Sequence, residues 1–205
     1  MLRYELPDVD LDVADRDAAI RALPELILAS QLNPARDDLV GHNTGGYLQH
    51  VPVDPISGRC AFPYEIAEAA GYSKIDILPN HVYQGVDHED HLRDILDHPT
   101  DWGMFLDVEF VRSLFHFGGQ VDAELSMAQV VVFYEPKSVQ DIACLVAMKM
   151  PAKRYLIGEP WEVVREKIWI REPKSASMQF RKSHSFSYSL VVIVDAKLKR
   201  YATEI

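Results

Sequence analysis

Three aspartates, Asp8, Asp10 and Asp12, alternate with Val9, Leu11 and Val13 near the start of the chain. In an extended strand, residues two apart share a face. The spacing therefore gathers the carboxylates on one side and sets the apolar residues on the other, where they can anchor the strand in a core. Like charges on one strand face repel. A divalent cation compensates them, and aspartate pairs that hold Mg²⁺ leave room for substrate phosphates. A solvent-facing acidic edge that discourages aggregation explains the same alternation. The segment Lys74-Ile75-Asp76-Ile77-Leu78 adds a second strand pattern, with Lys74 and Asp76 on one face and Ile75 and Ile77 on the other. A third carboxylate on a neighbouring strand is what a two-metal phosphoryl-transfer site requires, because two ions then clamp the attacking and leaving oxygens. Lys74 beside it can neutralise triphosphate charge.

These residues need elements to position them. The alternation predicts a strand over residues 9–13, and Asp15 can cap a helix over roughly residues 16–31 with Ile20, Leu23, Leu26 and Ile27 as its apolar stripe. Residues 32–45 read as a polar loop ending in Gly41-His42-Asn43-Thr44-Gly45-Gly46, and Tyr47 to Val53 as a strand. The second strand runs from Lys74 to Leu78, bounded by Gly71 and Pro79. Residues 88–98 and 107–116 read as short amphipathic helices, and Ala128 to Tyr134 as a β-branched strand. Residues 138–149 and 160–170 read as helices, the latter with Pro160 in its first turn. Ser185 to Val194 favours a strand on propensity alone. Alternating β and α elements predict an α+β fold, a mixed sheet with covering helices.

Composition sets the outer bounds. The 205 residues are 48% hydrophobic and 25% charged, and a chain of this length buries roughly 70% of its unfolded surface without staples. No long uncharged apolar stretch argues for a membrane span. The first residues carry no secretory-signal pattern, and Cys60 and Cys144 give no disulfide framework or zinc pattern. A cytoplasmic setting without membrane contact is the expectation. The net charge is −10, but residues 149–205 hold 12 basic against 6 acidic side chains. A basic C-terminal third on an acidic protein admits nucleic acid as a partner, or a basic lobe packed on an acidic one.

Other constellations carry less. His88, His91 and His98 share a predicted helix with Glu89, Asp90 and Asp94, without the HExxH arrangement of zinc enzymes. Ser183 and His184 are sequence neighbours, the wrong relation for a nucleophile and its base. Phe105, Phe110, Phe115 and Phe117 read as core. Lys174, Arg181 and Lys182 can face phosphates or solvent.

Five strings together carry a family resemblance. PDVDLDV (Pro7 to Val13), followed by Arg16-Asp17, resembles the palm motif of bacterial DNA polymerase III α subunits, the C-family replicative polymerases. GHNTGG (Gly41 to Gly46) resembles their GKHAGG loop, and SKIDILPN (Ser73 to Asn80) their GLxKFDFLGL strand. Pro136 to Pro151 is similar to the helix leading into their RPG motif, and FRKSHSFSYSL (Phe180 to Leu190), with Lys197-Leu198-Lys199, to their FNKSHS segment. The five occur in the family's order and span nearly the whole chain.

The resemblance implies a polymerase-β-like nucleotidyltransferase palm and a helix, not a strand, over Ser185 to Lys199. It puts Asp10, Asp12 and Asp76 where the family's three catalytic, metal-binding aspartates stand. It implies substrate contacts from Lys74, Gly45, Gly46, His42, Lys182 and His184, and two Mg²⁺ ions for which Mn²⁺ can substitute. The partners it implies are DNA and a dNTP, with a replication protein or an oligomer supplying missing parts, in a bacterial or phage-infected cell. Residues 1–150 then form a palm-like acidic core and 151–205 a basic helical segment packed on it, within one domain overall. Departures are as specific as the matches. The family's enzymes are several times longer, their Lys-His becomes His42-Asn43, and the arginine of RPG becomes Met150. The chain reads as a minimal palm protein for nucleotidyl transfer onto DNA. The alternatives are a non-catalytic polymerase-like module, or a nucleotidyl- or phosphotransferase acting on another nucleic-acid substrate.

Overall fold

The structure is a computed structural model that describes residues 9–33, 35–170 and 179–201. Asp8 and Lys174 lie outside the described residues. The chain divides into two compact units between His81 and Val82. The change in charge near residue 149 falls inside the second unit.

The first unit is built on a four-stranded mixed sheet of β1 (Val9–Val13), β2 (Ile27–Asn33), β3 (Asp38–Tyr47) and β4 (Ile75–Pro79) in the order β1-β4-β3-β2. β1 pairs with β4 in parallel, while β3 runs antiparallel to both β4 and β2. Its core gathers Ala29, Tyr47, Val51, Cys60 and Ala67. On the apolar side of β1, Leu11 does not reach a core: it is 39% exposed on an edge strand, while Val13 is partly buried.

The helix expected over 16–31 is short. α1 (Arg16–Ala22) is capped by the Asp15 carboxylate, which accepts from the Asp17 and Ala18 amides at 2.9 and 3.0 Å. It then stops, because Pro24 pushes Leu23 out of the helical region (φ −117°). Ile27 onward becomes β2, so Leu26 and Ile27 belong to no helical stripe. The segment read as a loop over 32–45 is largely β3, which carries the whole GHNTGG string and ends where a strand from Tyr47 was expected. α2 (Tyr64–Ala69) completes the unit.

The second unit is helical, with α3 (Glu89–Asp97), α4 (Val108–Ser113), α5 (Met127–Tyr134), α6 (Val139–Met148), α7 (Trp161–Lys167) and α8 (Lys182–Tyr201). The strand expected over 128–134 is α5. Ser126 and Gln129 form a capping box at its start, with the Gln129 side chain accepting from the Ser126 amide at 2.8 Å and Ser126 Oγ from the Gln129 amide at 3.3 Å. A helix buried on several sides reads as an unbroken apolar run and is easily mistaken for a strand. α8 behaves likewise: Val191, Val192, Ile193 and Val194 are all buried, and the helix the resemblance implied is present. α6 packs along α8, and the core joins both to α4 and α5, with Phe105 and Phe117 fully buried.

Two buried lysines tie helix ends together. Lys197 Nζ donates to the carbonyls of Ile95 (2.8 Å) and His98, at the end of α3. Lys153 Nζ donates to those of Lys167 (3.2 Å) and Ile170, at the end of α7. A cation at a helix C-terminus satisfies orphan carbonyls and complements the helix dipole. Among the described residues no helix is long and apolar enough to cross a membrane.

Candidate functional site

In the parallel pairing of β1 with β4, Asp10 stands opposite Asp76 and Asp12 opposite Leu78. Gly45 of β3 stands opposite Asp76 on its other side. One rung of the sheet therefore holds Asp10, Asp76 and Gly45 in a row. Asp12 lies two residues further along the face of Asp10. The glycine is a steric requirement: a Cβ at Gly45 would sit 2.7 Å from Lys74 Cδ and 3.0 Å from His42 Nδ1.

Asp76 is the centre of this face. Thr44 Oγ1 donates to its Oδ1 at 2.7 Å, and Lys74 Nζ donates to its Oδ2. Burial alone would raise the Asp76 carboxyl, but the hydrogen bonds from Lys74 and Thr44 and the lysine charge outweigh it and hold the group below the usual carboxylate range. Lys74 is itself largely covered, with its ammonium 5.7 Å from the centre of the Tyr64 ring. That contact adds cation–π attraction to the ion pair.

His42 organises the strand beneath. Its Nδ1 accepts from the backbone amides of Gly45 at 2.9 Å and Thr44 at 3.2 Å. An accepting Nδ1 means a neutral ring with the proton on Nε2. Burial lowers its pKa first and the Lys74 charge second, against the opposing pull of Asp76. The 4.0 Å approach of Nδ1 to Asp76 Oδ1 is therefore a proximity, not an ion pair. The ring meets Tyr64 edge-on at 5.1 Å.

The structure thus brings Asp10, Asp76, Lys74, His42 and Gly45 together, with Asp12 further along the same face. Gly46, opposite Ile75, backs onto Leu26. Thr44 was not singled out from sequence. Had the GHNTGG string been read as a strand, the two-residue period would have placed Thr44 on the face of His42. Lys182 and His184 belong to the second unit, in the first turn of α8. The Lys182 ammonium lies 6.0 Å and 5.9 Å from the ring centres of Trp169 and Phe186, and His184 packs against Phe180 and Tyr188. His88 is the N-cap of α3, its Nδ1 accepting from the His91 amide at 3.1 Å. Cys60 and Cys144 are buried thiols, and burial pushes Cys144 up to about 11.

Among the described residues no three His, Cys, Asp or Glu side chains converge on a point that could hold a metal ion. The donors on the sheet face are nonetheless of the right kind, because carboxylate oxygens suit hard cations such as Mg²⁺. As placed, both oxygens of Asp76 are engaged by Lys74 and Thr44. No family model, curated protein or solved structure matches the chain.

Proposed function

We propose that this chain is a compact nucleotidyltransferase with a polymerase-β-like palm, acting on DNA with two Mg²⁺ ions. One observation carries the reading: Asp10 shares a sheet rung with Asp76 on adjacent parallel strands, with Lys74 against Asp76. In this reading Asp10 and Asp12 would hold the metals and Asp76 would complete the set. Bound Mg²⁺ would neutralise charge building up on the transferring phosphoryl group and its leaving pyrophosphate. Lys74 shifts its ammonium from Asp76 toward the triphosphate, and Gly45 lets the substrate approach the backbone. The oxygen of a primer 3′-hydroxyl bonds to the α-phosphorus as the bond to the pyrophosphate oxygen breaks, and the hydroxyl proton passes to solvent. The carboxylates position charge at the reacting atoms, so losing one costs several kcal/mol of transition-state stabilisation, about 3–4 by analogy with removal of a single preorganised group.

The test is a thermal melt with Mg²⁺ or Mn²⁺, with and without dNTP, on wild type and Asp10→Asn/Asp12→Asn, followed by primer extension. A ligand at 100 times its dissociation constant adds about 2.7 kcal/mol. A metal-dependent shift abolished in the double variant supports the reading. No metal response, with the variant melting above wild type, rejects it.

A second reading rests on the same carboxylate. Lys74 and Thr44 already satisfy both Asp76 oxygens, as expected of a polymerase-like module that docks on DNA or replication proteins without catalysis. In that case Lys74→Met/Asp76→Leu retains binding to primer–template DNA or to the replication partner. The catalytic reading requires that activity be lost.

A further inference from the structure

A cavity of about 340 Å³ opens in the second unit, between the end of α5 and the starts of α6 and α7. It uses none of the residues assigned above. Its walls are fixed by hydrogen bonds. The Tyr134 hydroxyl shares its one proton between the carbonyls of Leu156 and Glu159 and accepts from the Gly158 amide, and Trp161 Nε1 donates to the Tyr134 carbonyl at 2.9 Å. The hollow is open to solvent on one side, with aromatic and charged groups on its walls, and such a surface can hold part of a small ligand.

Three chemical features converge there. The first is aromatic: Phe133 is 68% exposed although the rest of α5 is largely buried, and it lines the cavity with Trp161. The second is cationic. The Arg165 guanidinium lies over the Trp161 ring at 4.9 Å and gives one edge to buried Asp141 at 2.9 Å, and that anchoring fixes its orientation while leaving further N–H groups to donate. Lys137 lines the same cavity, and its ammonium makes no hydrogen bond or ion pair among the described residues. The third is anionic. Glu135 occupies a left-handed conformation (φ 46°) at the end of α5, where glycine or asparagine would be cheaper, and its carboxylate also has no partner among the described residues.

From this juxtaposition we infer that the cavity binds a nucleoside monophosphate unit. The base packs on the exposed Phe133 ring, its exocyclic amine donates to Glu135, and the phosphate sits between Lys137 and the unused N–H groups of Arg165, which itself covers Trp161. Base–aromatic stacking and a charge-assisted phosphate contact are the two contributions by which proteins hold single nucleotides and single strands. The nucleotide can be free or part of a single strand, because the recognising chemistry is the same.

The inference is tested by isothermal titration of the full chain in EDTA, so that it stands apart from the metal-dependent reading; Asp10→Asn/Asp12→Asn should bind equally well. The probes are dAMP, deoxyadenosine, L-tyrosine and a short oligo-dA. Expected is binding of dAMP that weakens about tenfold without the phosphate and about tenfold in Phe133→Ala. Glu135→Gly should melt at or above wild type, since glycine suits that backbone, yet bind dAMP more weakly. Tighter binding of oligo-dA than of dAMP marks a strand as the source, and equal binding marks a free nucleotide. Equal affinity for dAMP and deoxyadenosine overturns the proposal. So does preference for L-tyrosine, which offers a ring, a carboxylate and an ammonium, and so does undiminished dAMP binding by Phe133→Ala.

Discussion

Lys74 and Asp76 are two residues apart, lie on the same face and are joined by a direct hydrogen bond, so the ammonium and the carboxylate hold each other in place at the centre of the sheet. Both are mostly covered. Removing one partner of such a pair leaves the other charge without compensation. Asp76→Leu should therefore destabilise the chain by about 2–3 kcal/mol and Lys74→Met/Asp76→Leu by less. Urea unfolding of Lys74→Met, of Asp76→Leu and of the double variant measures this. Additive losses would show that the pair is not coupled.

Gly45→Ala tests the same face without touching a charge. The added methyl would meet Lys74 Cδ at 2.7 Å, and the lysine stem must move aside, drawing its ammonium off Asp76. The expected result is a stability loss of about 1–3 kcal/mol, in the range of overpacking. The Asp76 carboxyl should also titrate higher than in wild type, read by carbon-detected NMR. An unchanged Asp76 titration would mean that the stem accommodates the methyl.

Acid should act on this protein before its carboxylates titrate. His116 is held neutral, with its pKa lowered to about 4 by burial first and then by the charges of Lys149 and His184. The unfolded chain takes up that proton near pH 6.5 and the native chain does not, so stability falls as pH drops from about 6.5 toward 4, by about 2–3 kcal/mol. His42, also lowered by burial, acts in the same direction. Asp76 is a lowered carboxylate, so its contribution is present above the ordinary carboxylate value and is lost only as pH falls through its lower native pKa. His116 has φ 67°, a conformation asparagine tolerates. In His116→Asn the slope of stability between pH 4 and 6.5 should flatten, as measured by denaturant melts across that range.

Lys197→Met should cost about 2–3 kcal/mol, because the carbonyls of Ile95 and His98 lose their donor. Hydrogen exchange should report the loss first in the last turn of α3. Protection spread evenly across the second unit would argue against a local capping role.

Much of the scaffold around the acids was legible in the sequence, because period-two alternation is a strong local signal. β1 and β4 fall where Val9 to Val13 and Lys74 to Leu78 placed them, give or take a residue. Their adjacency was not legible, since pairing between residues 9–13 and 75–79 is set by tertiary contacts. β3 was missed because His42, Asn43, Thr44 and two glycines have low strand propensity. Their place in the sheet is earned by the His42 hydrogen bonds and the space Lys74 needs, neither visible in one dimension. α5 was misread because its β-branched run outweighed the Ser126–Gln129 capping signal. Pro24 ends α1 despite the apolar stripe that runs through it, because a residue before proline is biased out of the helical region.

The lysine that closes α3 has a temporal consequence. It lies 102 positions after Ile95, so on the ribosome the end of α3 emerges long before its cation does. At ~5–20 residues per second, that delay is on the order of 5–20 s. During it the apolar faces that α8 will cover stand open, and a nascent chain halted before α8 is a candidate for chaperone capture rather than a partly working protein.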